Sequence, residues 1–152
     1  MFTIYIDADA CSVKEETYKV AARHRLKVIV VANNYLNVPL EPDIEMKVVA
    51  GHFDAADDWI AESITANDIL ITSDLLLAAR ALQKKARVVG AKGHELTEEN
   101  IGAVLGSREL NAHLRNLGHA NTGPKPMTKS DRSQFLSTLE QMIQKLLRSA
   151  KV

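Results

Sequence analysis

The chain has 152 residues, 46% hydrophobic, 25% charged and 5% aromatic, which excludes a disordered or collagen-like chain and suits one self-sufficient core. Its single cysteine, Cys11, excludes a disulfide framework and a thiolate zinc site, and no apolar run reaches the roughly 18 residues that span a bilayer. The formal charge of zero divides into −5 over residues 1–100 and +5 over residues 101–152, so the tail either docks on an acidic first part or meets an anionic partner.

Residues 2–6 are a short apolar, β-rich run that predicts a first strand ending at Asp7. Asp7 also interrupts what would be the apolar stretch of a signal peptide, so a cytoplasmic protein, free of membrane, is expected. Ser12 to Glu15 has the S-x-x-E spacing of a capping box and predicts a helix reaching His24. Residues 27–32 (KVIVVA) read as a strand, closed by the turn chemistry of Asn33 and Asn34. Pro39 and Pro42 bracket a loop, and residues 46–50 predict a third strand that Gly51 ends. Over 54–65, Ala55, Ala56, Trp59, Ile60, Ser63 and Ile64 share one helix face. Residues 68–72 predict a fourth strand, 75–82 a helix and 86–90 a fifth strand.

Strands apolar on both faces and separated by helices predict an α/β fold, a parallel sheet of about five strands between helices with right-handed crossovers. Past Gly93 the pattern turns helical over 97–118. A loop rich in Gly, Pro and Lys follows over 118–129, then an amphipathic helix over 131–148. A single domain is expected, with its α/β core in 1–93 and a helical extension with a basic loop in 94–152.

In a parallel sheet, ligands bind beyond the carboxyl ends of the strands. Strand one delivers Asp7 and Asp9 there, and strand two delivers Asn33. The turn after strand three delivers Asp54 and Asp57, and strand four delivers Thr72, Ser73 and Asp74. Crowded carboxylates raise their pKa values or hold a cation, and oxygen ligands suit Mg²⁺ or Mn²⁺. Such an ion activates water and clamps a phosphoryl group in displacement, so the pattern points to a metal-dependent phosphodiesterase, a nuclease first of all.

Each acid also has a plainer role. Asp7 and Asp9 would cap the first helix with Ser12, and Asp74 would cap its own helix. Asp54, Asp57 and Asp58 would form a solvated face favoured by the helix dipole. Asp58 is assigned to that face, whereas Asp57 borders the apolar one and is better placed to look toward the sheet edge. The five histidines show no metal-ligand spacing, and Cys11 reads as a small residue at a helix start. Glycine-rich phosphate loops are absent from the sequence, which argues against nucleotide cofactors. Arg108, Arg115, Lys125, Lys129 and Arg132 suit phosphate contacts along a nucleic-acid backbone, with an ordinary surface loop as the plainer alternative.

IYIDADAC, GHFDAADDWI, ITSDLLLA and GPKPMTKSDR together resemble the YaiI/YqxD family of bacterial proteins, in order and over essentially the whole chain. The resemblance implies a PIN-like domain, whose acidic strand-end site typically serves Mg²⁺- or Mn²⁺-dependent ribonucleases. It puts the acids at Asp7, Asp9, Asp54, Asp57 and Asp74, and the strand-end Thr/Ser-x-Asp pattern on Thr72-Ser73-Asp74. Two departures stand out: Ser12 replaces the usual Pro after the cysteine, and residues 74–77 lack their usual Pro. Both concern helix starts and leave the acids in place. On this reading Asp7, Asp57 and Asp74 hold the ion, with Asp54 and Asp9 beside them, and the catalytic set is Asp7, Asp9, Asp57 and Asp74. Thr72 or Ser73 orients a carboxylate or phosphate, and Asn33, Lys125 and Arg132 meet an RNA substrate. A homodimer is implied because PIN-like domains are often dimers. Two alternatives stand beside it. One is a non-catalytic module that binds RNA or protein. The other is a haloacid-dehalogenase-like phosphatase, for which Asp57-Asp58 falls on the wrong side of Ser73.

Overall fold

The apolar runs become strands, and those at the centre of the sheet are buried on both faces. In this computed structural model, which describes residues 2–52, 54–106 and 127–150, the strands are β1 (Thr3–Asp7), β2 (Lys27–Ala32), β3 (Ile44–Val48), β4 (Ile69–Ile71), β5 (Arg87–Val89) and β6 (Glu95–Leu96). The helices are α1 (Lys14–His24), α2 (Ala55–Ser63), α3 (Leu75–Gln83) and α4 (Lys129–Ala150), and residues 101–106 are also helical. One sheet runs in the order β3-β2-β1-β4-β5-β6. All pairs are parallel except β5 with β6. The α/β sheet between helices is the one the sequence predicts. The extra strand, β6, is only two residues long and returns through a hairpin after Gly90, too short to show a period in sequence.

Alternation along the strands divides the core in two. Ile4, Ile6, Val28, Val30, Ile69, Ile71 and Val89 face α1 and α4. Tyr5, Ile29, Val31, Leu70 and Val88 face α2 and α3. From β1 the chain steps toward β2 with α1 on one face, and from β4 toward β5 with α3 on the other. A single crossover hand requires that exchange of faces. The order reverses between β1 and β4, so a crevice opens at the carboxyl ends of those two strands. At their amino ends the buried Asp68 holds the same pair together. Its Oδ1 accepts from the Thr3 amide at 2.9 Å, and its Oδ2 accepts from the Thr65 amide and hydroxyl, both at 2.9 Å.

The capping box predicted at Ser12 and Glu15 does not form. The chain leaves β1 through a 3₁₀ turn (Ala8–Ala10), and Val13, with φ −122° and ψ 28°, is the N-cap of α1 without a side-chain bond. Lys14 Nζ reaches back to the Cys11 carbonyl at 2.9 Å instead. Reciprocal boxes stand elsewhere. Thr128 and Asp131 each accept from the other's amide at 3.0 Å and start α4, two residues before the predicted position. Thr97 and Asn100 do the same before the helical stretch at 101–106.

The described part of the tail docks on the core. Phe135, Leu139, Met142, Ile143 and Leu146 form a buried stripe on α4. At its flanks Glu140 meets His24 at 2.8 Å and Arg23 at 3.1 Å, and Arg132 meets Glu16 at 3.0 Å. Among the described residues no helix is long and apolar enough to cross a membrane.

The closest fit among the described glycines is at Gly93, with φ +90°, whose carbonyl accepts from Thr138 Oγ1 at 2.7 Å. A Cβ there would lie 2.6 Å from the Gln134 carbonyl carbon and 2.7 Å from the Phe135 nitrogen, both backbone atoms of α4. Gly93→Ala is therefore expected to lower stability by at least about 2 kcal/mol, from strain and overpacking together. Denaturant unfolding checks this, and an unchanged midpoint would contradict the docking of α4 on this hairpin.

Candidate functional site

The register of β1 on β4 builds the site. Ile6 pairs with Ile71, so Asp7 comes level with Thr72 across the reversal point. The buried Thr72 hydroxyl donates to Asp7 Oδ2 at 2.7 Å and accepts from the Asp74 amide at 3.0 Å. One side chain thus fixes both acid-bearing segments. Asp74 is also a true N-cap: its Oδ1 accepts from the amides of Leu76 at 2.9 Å and Leu77 at 3.2 Å. Asp57 arrives from the opposite side of the crevice. It lies in the first turn of α2, and its carboxyl is hydrogen-bonded to that of Asp74.

These acids share one electrostatic field. Burial pushes the Asp57 carboxyl up to about 7, helped by the charges of Asp7 and Asp74, its hydrogen bond to Asp74 and the charge of Asp54. Burial also raises Asp7. The Thr72 hydroxyl opposes that rise, and Asp74 and Asp9 add to it. Like charges this near oppose one another's ionisation, so Asp57 gives up its proton only around neutral pH. Among the described residues no three carboxylate, histidine or cysteine side chains form a ready-made coordination set. Three carboxylates are nonetheless the oxygen-donor type that a hard divalent cation takes. Asp7, Asp57 and Asp74 are the candidates for such a role, coupled to one another through their charges.

The remaining candidates sit around this centre. Asp9 is exposed in the 3₁₀ turn and receives the Asn33 amide at a long 3.4 Å, which puts both at the rim. Asp54 is exposed at the N-cap of α2 and makes no side-chain cap bond. Ser73 is exposed between Thr72 and Asp74. Asp58 turns away to His52 at 3.0 Å and Arg80 at 2.8 Å, and both hydrogen bonds hold its carboxyl low. Arg132 donates to the Ser12 carbonyl at 2.9 Å and pairs with Glu16, so its guanidinium anchors α4 to the start of α1. Arg108, Arg115 and Lys125 lie outside the described residues. Burial raises the Cys11 thiol, which disfavours a reactive thiolate there. What sequence reasoning missed is the Asp57–Asp74 bond, because it joins α2 to the end of β4 and depends on the crossover. The double role of Thr72 had one signal, a hydroxyl residue at a strand end beside an acid.

Residues 5–145 match the family model described as "Uncharacterized BCR, YaiI/YqxD family". The chain belongs to the YaiI/YqxD family. A UPF0178 protein of Rhodopseudomonas palustris strain BisB18 is 47% identical over 148 residues, covering 97% of this chain and 96% of its own. One from Rhodospirillum centenum is 50% identical over 147 residues, covering 94% and 96%. One from Caulobacter sp. strain K31 is 47% identical over 148 residues, covering 97% and 98%. No solved structure matches the chain. The YaiI/YqxD match runs from β1 into α4, so it takes in every acid of the crevice.

The raised Asp57 gives a signed pH dependence. The folded chain holds this proton with a pKa of about 7, against an ordinary value of 3.8. The stability it contributes is full below about pH 4 and is lost as the pH rises through 7. Asp57→Asn is therefore expected to raise the melting temperature at pH 8 relative to wild type and to have much less effect at pH 4. Thermal melts at the two pH values check this, and an equal change at both would contradict it.

Proposed function

We propose that this YaiI/YqxD protein is a Mg²⁺- or Mn²⁺-dependent phosphodiesterase of PIN-like fold acting on RNA. The observation that carries the reading is the set Asp7, Asp57 and Asp74, gathered at the sheet's reversal point with Asp57 pushed up to about 7. A bound divalent ion would supply Lewis acidity toward a phosphoryl oxygen and an activated water. Asp7 and Asp74 would hold it from β1 and β4, each already anchored through one oxygen. Asp57 would give up its proton and close the set from α2. Asp9 and Asp54 would keep the rim negative. Thr72 is a positioning residue that fixes Asp7 and the backbone of Asp74. The fold supports the reading, since ligands of such sheets bind where the strand order reverses.

One observation favours a second reading, nucleic-acid binding without hydrolysis. Asp74 already caps α3 through two hydrogen bonds, a role that needs no cation. Cleavage of end-labelled RNA separates the two. The phosphodiesterase reading expects Mn²⁺- or Mg²⁺-dependent cleavage that EDTA stops. It also expects Asp7→Asn to lower the rate by about 100-fold, the upper end of what loss of even an outer-shell partner of a metal site costs. RNA bound but left uncut at every metal concentration would establish the second reading. Cleavage indifferent to EDTA and to Asp7→Asn would overturn the site.

A further inference from the structure

We infer that Tyr35 is the base-stacking residue of this site and makes it selective for unpaired nucleotides, an inference that rests on the phosphodiesterase reading and names its substrate contact. Tyr35 is 68% exposed and lies three residues beyond the carboxyl end of β2, the strand beside β1. Asn33, two residues before it, donates its backbone amide to Asp9 Oδ2 at 3.4 Å. Strands lie about 4.8 Å apart, so this loop starts one strand spacing from Asp7 and two from the Thr72–Asp74 turn. A nucleotide flanking a phosphate held by the acids is within reach of such a ring.

The exposure of Tyr35 is imposed by its surroundings. The next residue, Leu36, and then Val38 pack against the core under α1 and α4. These two anchors hold the loop down while the ring between Asn34 and Leu36 stays outward. Asn34 and Asn37 are exposed on either side and offer amide donors and acceptors suited to base edges. Across the reversal point a second large apolar side chain stands open. Leu76, in the first turn of α3, is 71% exposed, and its amide is one of the two that bond Asp74. An aromatic side chain beyond β2 and an apolar one beyond β4 thus stand exposed at the carboxyl edge of the sheet. Bases stack on such surfaces whatever their identity, but only when they are free of a pairing partner. Paired bases present a backbone and groove edges, which Tyr35 cannot stack upon.

The test is binding of fluorescent RNA to Asp7→Asn protein, in which the phosphodiesterase reading expects turnover to be slowed about 100-fold. The probes are a single-stranded oligomer, its duplex and the same strand made abasic. The single strand is expected to bind best. Adding Tyr35→Ala is expected to weaken that binding about tenfold, as loss of one base stack does, and Tyr35→Phe to keep it. The abasic strand is expected to bind both proteins equally and weakly. Tyr35 is exposed, so the melting temperature stays unchanged in both variants and folding does not confound the result. Single-strand binding that is strong and untouched by Tyr35→Ala overturns this inference and leaves the phosphodiesterase reading standing. Binding of no oligomer by the wild-type or Asp7→Asn protein overturns both.

Discussion

Like-charge repulsion between carboxylates, enforced by a parallel sheet, is the constraint around which the carboxyl edge is organised. Asp7 and the turn carrying Asp74 are level because β1 and β4 are neighbours in register, and that register is bonded at both ends. Asp68 ties the amino ends together, and Thr72 ties the carboxyl ends. Neither acid can move apart without breaking a hydrogen bond to the buried Thr72 side chain. Asp57 then arrives on α2 into a field already negative and keeps a proton as a result. A carboxyl held protonated near neutrality is a cost to the fold. Such costs gather at functional sites, where one competing charge can relieve them.

The second core explains how so short a chain supports this edge. α1 and α4 cover one face of the sheet, and α4 is pinned at Gly93 and along α1. The opposite face carries α2 and α3, whose first turns bring Asp57 and Asp74 to the crevice. The charge asymmetry of the chain is partly consumed in this packing. Arg132 lies against Glu16, while Glu140 lies against Arg23 and His24, so the described tail exchanges charges of both signs with α1.

Much of this was legible in sequence, and the gaps have physical causes. β1, β2, β4 and β5 were readable because their residues are largely apolar on both faces, the pattern of a covered sheet, whereas β3 (IEMKV) lies at the sheet edge, alternates and is only partly buried. Convergence of Asp7, Asp57 and Asp74 followed from the rule that strand ends of a parallel sheet share one edge. The solvated role of Asp58 followed from its place on the helix. The box at Ser12 misled because spacing alone cannot reveal the 3₁₀ turn that delays α1 past Val13. β6 escaped because two residues carry no period. Arg132 read as a phosphate contact because its partners Glu16 and Ser12 are more than a hundred positions away in the chain. Asp68 read as the mere start of a strand, since its three donors come from Thr3 and Thr65.

The central claim is that the crowded carboxylates are a cation site. Calorimetric titration of metal-free protein with Mn²⁺, beside an Asp7→Asn/Asp74→Asn double variant, tests it most directly. Asparagine at 74 keeps the cap of α3, so the variant loses charge with its fold preserved. Saturable binding by the wild type and none by the double variant is the predicted result. Equal binding by both, or none by either, would reduce these acids to caps and surface charge.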